Sequence, residues 1–246
     1  MCTVTIIPKG KNDFILTSNR DEAPNRTSIP PDIYSVKNTK MMFPKDELAG
    51  GTWIGVSDKN RLICLLNGGF ICHERKADYR MSRGLVVNDL LASENIITAI
   101  NKYNLDDIEP FTLVIVDWNT DLKLYELVWD GTKKHFRTLP LEPKMWSSST
   151  LYTKEMIKER LQWFEDFNSD SYRNGNIVDS KTMLNFHKTA GHDNQDYGVI
   201  IDRDYVKTTS ITQVKKKEYV VVMQFHDLQS NTTSIKRFKL LQTVNE

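Results

Sequence analysis

The chain begins with MCTVTIIPKGKNDFILTSNRDE, residues 1–22, and this stretch decides the fold. β-Branched residues dominate 3–7, a polar segment with one glycine follows at 8–13, and apolar residues return at 14–17. Two such runs around a short polar segment are typical of a β-hairpin. The sequence therefore predicts two antiparallel strands, with Asn19-Arg-Asp-Glu22 at the end of the second strand.

Elsewhere in the chain, strand patterns and helix patterns occur in blocks. Apolar residues spaced three and four apart predict helices over 82–103, 154–167 and 180–189. Runs of β-branched and apolar residues predict strands at 52–56, 61–66, 111–117, 123–129, 133–138, 199–201, 206–211, 219–225 and 234–240. The segment 23–47 is polar and contains prolines, which predicts a long loop with at most one short strand.

This order of elements indicates the fold class. Strands mostly neighbour strands in the sequence, so the order rules against a parallel sheet built from βαβ units. It favours antiparallel sheets with segregated helices, which is the α+β class. No repeat, low-complexity segment or long linker divides the chain, so we expect a single domain over residues 1–246.

The composition excludes several classes of function. Lys+Arg is 33 and Asp+Glu is 32, so the formal net charge of +1 gives no general attraction to nucleic acid or to an anionic membrane. No apolar run approaches the roughly 18 residues that cross a bilayer, and the pattern of a secretory signal is missing. The three cysteines and five histidines show no metal-ligand spacing. Because an odd, low cysteine count argues against a disulfide framework, we expect a cytoplasmic protein without a metal or a nucleic-acid partner.

Cys2 is the most informative residue for chemistry. Its side chain is small, so we expect an aminopeptidase to remove Met1 and leave a cysteine with both a thiol and a free α-amine. An α-amine has a pKa near 7.7–8.0 and a thiol one of about 8.5, so the amine can accept the thiol proton and activate the nucleophile without a histidine. The alternative is that Cys2 is a small buried hydrophobic residue.

Arg20 and Asp21 strengthen the catalytic interpretation of Cys2. The predicted hairpin brings the end of its second strand beside the start of its first, so both residues are expected next to Cys2. A nearby guanidinium favours a thiolate, and a carboxylate holds a protonated amine. The alternative is an ordinary surface ion pair or a turn with an Asx cap.

Further motifs follow the initial Met-Cys in order along the chain. They are Ser18-Asn-Arg-Asp-Glu22, Gly50-Gly-Thr-Trp-Ile-Gly-Val56, Leu66-Asn-Gly-Gly69, Ser82-Arg-Gly84, Glu109-Pro-Phe-Thr-Leu-Val114, Trp146-Ser-Ser-Ser-Thr-Leu-Tyr152 and Lys207-Thr-Thr-Ser-Ile-Thr212. Over nearly the whole chain, this set resembles the NRDE family, also called the transport and Golgi organisation 2 family. That family resembles the N-terminal-nucleophile hydrolases of the penicillin V acylase and bile-salt hydrolase branch. The resemblance implies a four-layer αββα sandwich, with two antiparallel sheets between helical layers.

The resemblance also implies roles for individual residues. Cys2 matches the nucleophile of that branch, and Arg20 and Asp21 match the residues that assist it, with a shorter spacing between them here. Arg203 matches a late arginine of the same branch. These four residues are therefore candidate catalytic residues.

The donor to the oxyanion departs from the family pattern. Where the branch has an asparagine whose side chain donates to the oxyanion, this chain has Ser148 and Ser149. Their hydroxyls, or the backbone N–H of Asn67, are the candidate donors here. Asn67 is alternatively an ordinary turn residue. Because losing one such donor costs about 10²–10³ in kcat, the substitution slows a reaction without abolishing it.

Six further residues are candidates for substrate binding. They are Asn19, Trp53, Gly68, Gly69, Arg83 and Trp146. The two glycines supply either turns or the lining of a pocket beside Cys2. The two tryptophans belong either to the core or to the wall of that pocket. Arg83 either begins a helix facing solvent or binds a substrate carboxylate.

Two functions stay open from the sequence. The first is hydrolysis of the carbon–nitrogen bond of a small non-peptide amide, with Cys2 as nucleophile and no cofactor. The second is implied by the resemblance alone: a non-catalytic protein on the same fold that binds and traffics haem, a lipid or acyl-CoA. The chain has no C-x-x-C-H motif, so covalent haem attachment is not expected.

Overall fold

The structure is a computed structural model that describes residues 3–173, 175 and 177–240. In chain order, the strands within these residues are β1 (Thr3–Lys9), β2 (Asp13–Glu22), β3 (Ser28–Val36), β4 (Thr39–Asp46), β5 (Ile54–Ser57), β6 (Arg61–Asn67), β7 (Phe111–Asp117), β8 (Lys123–Trp129), β9 (Lys134–Leu139), β10 (Lys144–Ser147), β11 (Asp202–Arg203), β12 (Val206–Lys217), β13 (Val220–Asp227) and β14 (Thr232–Lys239). The helices within them are α1 (Arg83–Ala92), α2 (Ile96–Lys102), α3 (Lys154–Arg173) and α4 (Ser180–Thr189).

The strands form two antiparallel sheets. The first sheet has the order β10-β1-β2-β12-β13-β14, with β11 paired to β12. The second sheet follows the sequence from β3 to β9. The predicted hairpin of β1 and β2 is confirmed, with Thr3 opposite Asn19. Because β2 also pairs along its length with β12, this hairpin lies in the middle of the first sheet.

Side chains from both sheets meet in one core. Val4 and Leu16 of the first sheet belong to the same buried cluster as Leu62 and Val114 of the second. On the outer faces, α1 packs on β5 and β6, α3 packs on β10, and α4 packs on β2 and β12. Burying one such aliphatic side chain contributes about 1.5–3 kcal/mol, so this core holds the sheets together. The predicted α+β fold, with two antiparallel sheets between helical layers, is confirmed.

The predicted loop over residues 23–47 is wrong, because β3 and β4 form a hairpin there. Its turn places Lys37 and Asn38 at φ 50° and 61°, the left-handed conformation that a tight two-residue hairpin turn requires. Pro30 and Pro31 lie where the pairing shifts register, on a strand at the edge of the sheet. Proline is tolerated at such positions because the missing N–H would face outward, and this placement hid the strand from pattern analysis.

Other boundaries also differ from the prediction. The helix predicted over 82–103 is two helices, because the backbone leaves the helical conformation at Ser93 and the Asn95 side chain caps α2 by accepting the Thr98 N–H at 2.9 Å. Helix α3 continues to residue 173, beyond the predicted end at 167. The segment 199–201 is not a strand, although Val199 and Ile201 are buried.

Candidate active site

Strand ends from both sheets meet at one end of the sandwich. There β1 begins at Thr3, which pairs with Ser147 at the end of β10 and with Asn19 near the end of β2. Cys2, the candidate nucleophile, lies outside the described residues. Its covalent neighbour Thr3 is described. The position of Thr3 is therefore the reference point for judging which candidate residues lie near the start of β1.

Arg20 is buried between the two sheets. Its guanidinium lies 4.5 Å from the centroid of the Trp53 ring and donates to Asp46 Oδ2 at 2.8 Å. It also donates to Thr209 Oγ1 at 3.3 Å. Burial lowers the pKa of Arg20, and the negative charges of Glu22 and Asp46 oppose that shift. A guanidinium stays charged in proteins, so a fixed positive charge lies under the end of β2.

Asp21 faces the opposite side of the sheet from Arg20, because successive side chains of a strand alternate. Its carboxylate accepts hydrogen bonds from the Tyr152 hydroxyl at 2.9 Å and from Thr208 Oγ1 at 2.6 Å. The Arg203 guanidinium lies 5.6 Å from the centroid of the Tyr152 ring and donates to Leu151 O at 3.2 Å. Tyr152 therefore connects two of the predicted residues, Asp21 and Arg203.

Asn67, at the end of β6, lines two cavities of different character. The smaller cavity, of about 70 Å³, is lined mainly by charged and small residues, including Arg20, Asp46 and Arg83. The larger cavity, of about 190 Å³, is lined by the apolar side chains of Leu66, Phe70, Val128, Trp146 and Ile157, and also by the paired Glu126 and Arg137. Among the described residues, the side-chain amide of Asn67 has no hydrogen-bond partner. Asn67 therefore offers a polar side chain to a ligand in a position that lines both cavities.

Ser148 and Ser149 lie against the loop that follows Asn67. The Ser148 hydroxyl donates to Asn67 O at 2.7 Å, and the Ser149 hydroxyl donates to Gly69 O at 2.9 Å. Gly68 has φ +85°, and a Cβ there would overlap Ser149 Oγ. The structure thus brings these predicted residues together, with both serine protons bound to backbone carbonyls. Glycine at position 68 permits this close approach.

Comparison with family models identifies the family of this chain. The model for Transport and Golgi organisation 2 matches residues 1–235. The chain belongs to the transport and Golgi organisation 2 family. None of the curated protein sequences matches the chain significantly.

Solved structures of N-terminal-nucleophile hydrolases share the fold of this transport and Golgi organisation 2 protein. A variant of conjugated bile acid hydrolase from Clostridium perfringens superposes with a TM-score of 0.57 at 9% identity, covering 100% of this chain and 99% of that one. For the N-acylethanolamine-hydrolyzing acid amidase ortholog of Caenorhabditis elegans the TM-score is 0.56 at 11% identity, covering 86% and 92%. For penicillin V acylase from Agrobacterium tumefaciens it is 0.56 at 9% identity, covering 98% and 87%. The predicted resemblance of the fold is confirmed.

Two predicted substrate-binding residues of this family member, Arg83 and Trp146, are bound to other groups of the protein. Arg83 pairs with Glu109 at 3.1 Å and donates to Pro110 O at 3.2 Å, while its side chain lines the smaller cavity. Trp146 donates its indole N–H to Glu126 Oε2 at 2.7 Å and lines the larger cavity. Both side chains are therefore held rigidly where they meet the cavities.

Asn19, another predicted binding residue, faces helix α4 and is fully buried. Its amide donates to His187 O at 3.0 Å and to Val199 O at 2.6 Å, and its Oδ1 lies 2.7 Å from His187 Nδ1. The other ring nitrogen of His187 lies 2.7 Å from Thr5 Oγ1. Burial, together with the charge of Arg160, lowers the pKa of His187 to about 3, so the imidazole is neutral. Asn19 contributes to the helical side of the sheet rather than to either cavity lining.

Three residues of this region were not singled out from the sequence. Asp46 and Tyr152 contact Arg20 and Asp21 from distant parts of the chain, and such pairings are not encoded locally. Arg160 did carry a signal, because it follows Ile157 by three positions and precedes Phe164 by four on α3. A charged residue in an apolar stripe is a candidate for a buried role.

Two searches for other kinds of site are negative within the described ranges. No group of three or more histidine, cysteine, aspartate or glutamate side chains in these ranges has an arrangement that could hold a metal ion. None of the described helices is long and apolar enough to span a membrane. Cys64 is buried, which raises the pKa of its thiol to about 12, whereas Cys72 is exposed.

Proposed function

We propose that this protein is an N-terminal cysteine hydrolase of small-molecule acyl amides, with Cys2 as nucleophile after removal of Met1. The observation that carries the proposal is the position of Thr3, between the Asn19 region of β2 and the Ser147 end of β10. Because one peptide bond keeps consecutive α-carbons about 3.8 Å apart, the proposal assigns Cys2 to the same end of the sandwich. That end holds both cavities lined by Asn67.

The charges around this end support the activation of a thiol. Val4 and Arg20 face the second sheet, and alternation along β1 predicts the same side for the thiol of Cys2. A guanidinium on that side favours the thiolate. Asp21 lies on the other face, where Tyr152 and Thr208 orient its carboxylate, and it supports a protonated α-amine.

The proposed reaction needs no group beyond this chain, its substrate and water. The α-amine of Cys2 takes the thiol proton, and the thiolate attacks the amide carbonyl to form a tetrahedral intermediate. The α-ammonium gives that proton to the leaving amine as the carbon–nitrogen bond breaks and a thioester forms. Water then attacks the thioester, with the α-amine as base, and releases the acid and the free thiol.

Asn67 is the proposed donor to the oxyanion of the intermediate. Asn67 lines both cavities, and the hydroxyls of Ser148 and Ser149 already donate to backbone carbonyls. A preorganised amide donor of this kind contributes about 10²–10³ in kcat. Asn67→Ala should therefore lower kcat by this factor, and Asn67→Asp should not restore it.

The cavities indicate the class of amide. The apolar wall of the larger cavity, with Leu66, Val128 and Trp146, suits the acyl part. In the smaller cavity, the guanidiniums of Arg20 and Arg83 are already paired with carboxylates. This cavity therefore suits a polar amine part of the substrate, which need not carry a charge. The similar structures are named as hydrolases of conjugated bile acids and N-acylethanolamines and as an acylase of penicillin V, and these names support a small-molecule amide.

The test is amine release from a panel of N-acyl amides that differ in acyl length. The wild type and Cys72→Ala, which removes an exposed thiol elsewhere, should release amine at equal rates. Cys2→Ala should release none above background. Equal turnover by the wild type and Cys2→Ala would refute the proposal.

The alternative function is a carrier of a lipid or acyl-CoA in the larger cavity. Two observations favour it: the apolar wall of that cavity, and the engagement of Ser148 and Ser149 with carbonyls, which removes two candidate oxyanion donors. Titration with an acyl-CoA, followed by calorimetry, separates the two functions. Binding that persists in Cys2→Ser while no amide is turned over would favour the carrier; a parallel absorbance titration tests haem.

A further inference from the structure

Arg160 on helix α3 is a fully buried cation at the start of β1. Its Nε donates to Ser147 Oγ at 3.0 Å, and its Nη2 donates to Thr3 Oγ1. Its Nη1 donates to Tyr197 O at 2.5 Å and Gly198 O at 2.6 Å. Every nitrogen of the guanidinium thus has an oxygen partner, and none of these partners is a carboxylate.

The missing counter-charge distinguishes Arg160 from the other fully buried arginine. Arg61 lies 3.0 Å from Asp117, whereas within the described ranges no carboxylate lies within ion-pair distance of Arg160. Taking a charge out of water is costly, and hydrogen bonds to neutral oxygens do not neutralise the charge. Arg160 therefore keeps a buried positive charge that its partners leave uncompensated.

The contacts of Arg160 converge on the residues around the candidate nucleophile. Thr3 is the covalent neighbour of Cys2, and Ser147 is its partner across the ladder. The guanidinium also stacks on Tyr152, 4.0 Å from the ring centroid, and the Tyr152 hydroxyl donates to Asp21. One side chain therefore joins the start of β1, the end of β10 and the group that orients Asp21.

We propose that Arg160 is a positioning residue on the helix-facing side of the first sheet: it fixes the start of β1 through Thr3, and its uncompensated positive charge favours the thiolate of Cys2 from the opposite side of the strand. This inference rests on the proposed role of Cys2. The charge of Arg160 already affects a neighbour, because it adds to the effect of burial on the pKa of His187. The titratable and charged groups around it are His187 on α4, Asp21 on β2, Arg203 on β11, and Tyr152 and Tyr197 in the loops.

The test measures how fast iodoacetamide alkylates each cysteine as a function of pH, using mass spectrometry of the separated peptides. In Arg160→Met, the rate at Cys2 should fall about tenfold near neutral pH, and its midpoint should rise by about one unit. Arg160→Lys keeps the charge and should keep the midpoint. Cys72, which is exposed, serves as the reference within the same molecule and should not change.

Arg61→Met is the matched control for the loss of a buried arginine. It should lower the melting temperature but leave the midpoint at Cys2 unchanged. Thr3→Val, which is nearly isosteric and removes only the hydroxyl that Arg160 contacts, should slow alkylation of Cys2 without unfolding the protein. If Arg160→Met does not fold, the alkylation rate of Thr3→Val tests the role of Arg160 instead.

The outcomes separate this inference from the proposed function. If Cys2 of the wild type reacts no faster than Cys72, the proposed function is refuted. If Cys2 of the wild type reacts fast, but Arg160→Met shifts its midpoint no more than Arg61→Met and Thr3→Val has no effect, the role of Arg160 is refuted and the proposed function stands.

Discussion

Replacing Asp46 with asparagine tests whether Arg20 depends on a buried partner. The Asp46 side chain is 9% exposed, and its Oδ2 lies 2.8 Å from Arg20 Nη2 and 2.8 Å from Arg26 Nε. Its Oδ1 accepts the backbone N–H of Ala49 at 2.8 Å. Asparagine keeps the shape and the acceptor for Ala49 but removes the charge that both guanidiniums face.

The expected cost follows from the burial of Arg20. Removing one partner of a buried ion pair costs about 3–5 kcal/mol, because the remaining charge stays buried without the partner to which it is hydrogen-bonded. Glu22 is the matched control, since it lies 3.8 Å from Arg20 and its side chain is 24% exposed. A partly exposed pair at that distance contributes about 0–1 kcal/mol, so Glu22→Gln should change the free energy of unfolding very little.

Urea denaturation followed by tryptophan fluorescence measures both variants. Asp46→Asn should lower the midpoint without changing the slope, because the surface exposed on unfolding is the same. The difference from the wild type should also depend on pH. Burial raises the pKa of Asp46, but the Ala49 N–H and the guanidiniums of Arg26 and Arg20 outweigh it and leave the pKa below its usual value.

The sign of that pH dependence follows from linkage. A carboxyl whose folded pKa is depressed contributes its full stability above the unfolded pKa of about 3.9 and loses it as the pH falls through the folded pKa. The wild type should therefore approach Asp46→Asn in stability below about pH 4. If Asp46→Asn is no less stable than Glu22→Gln at neutral pH, the argument that Arg20 needs this partner is wrong.

Three further predictions concern stability and reactivity. Because the folded pKa of His187 is about 3, the free energy of unfolding should fall as the pH drops below the unfolded value of about 6.5, by about 1.4 kcal/mol per unit, and His187→Gln should remove this slope. Gly51→Ala should destabilise the protein by about 1–3 kcal/mol in thermal unfolding, because its Cβ would lie 2.6 Å from the backbone of Gly84 at the start of α1. In the native protein, iodoacetamide should modify Cys72 and spare Cys64, whose buried thiol has a pKa of about 12.

Each of these predictions has an outcome that contradicts it. An unchanged acid slope in His187→Gln would mean that His187 is protonated in the folded state. A melting temperature of Gly51→Ala equal to that of the wild type would show that the segment before β5 moves easily away from the start of α1. Modification of Cys64 before Cys72 would show that the core around β6 opens often.

The central hairpin was predictable because its pattern is local. Alternation over β1 and β2 and the glycine-containing turn lie within 22 residues, and the structure follows them. Alternation also explains why Arg20 and Asp21, as consecutive residues, face opposite sides of the sheet. The β3–β4 hairpin failed the same analysis, since Pro30 and Pro31 interrupt its pattern at a register shift.

The surroundings of the candidate residues could not be predicted from local pattern. Asp46 reaches Arg20 from the opposite sheet, and Tyr152 reaches Asp21 from the loop before α3. These contacts depend on how the two sheets and α3 pack, and packing between distant segments has no local signature. Arg160 was the exception, because a cation within an apolar helical stripe can be recognised in the sequence.

The most direct test of the central claim is to trap the acyl intermediate. The wild-type protein is incubated with an activated acyl ester and quenched in acid, and its peptides are identified by mass spectrometry, with Cys2→Ala as control. The account predicts a peptide that begins at Cys2, lacks Met1 and carries one acyl group, and it predicts no acyl group on any cysteine of Cys2→Ala. An N-terminal peptide that retains Met1, or acylation of Cys72 in both proteins with no acyl group on Cys2 of the wild type, would contradict the account.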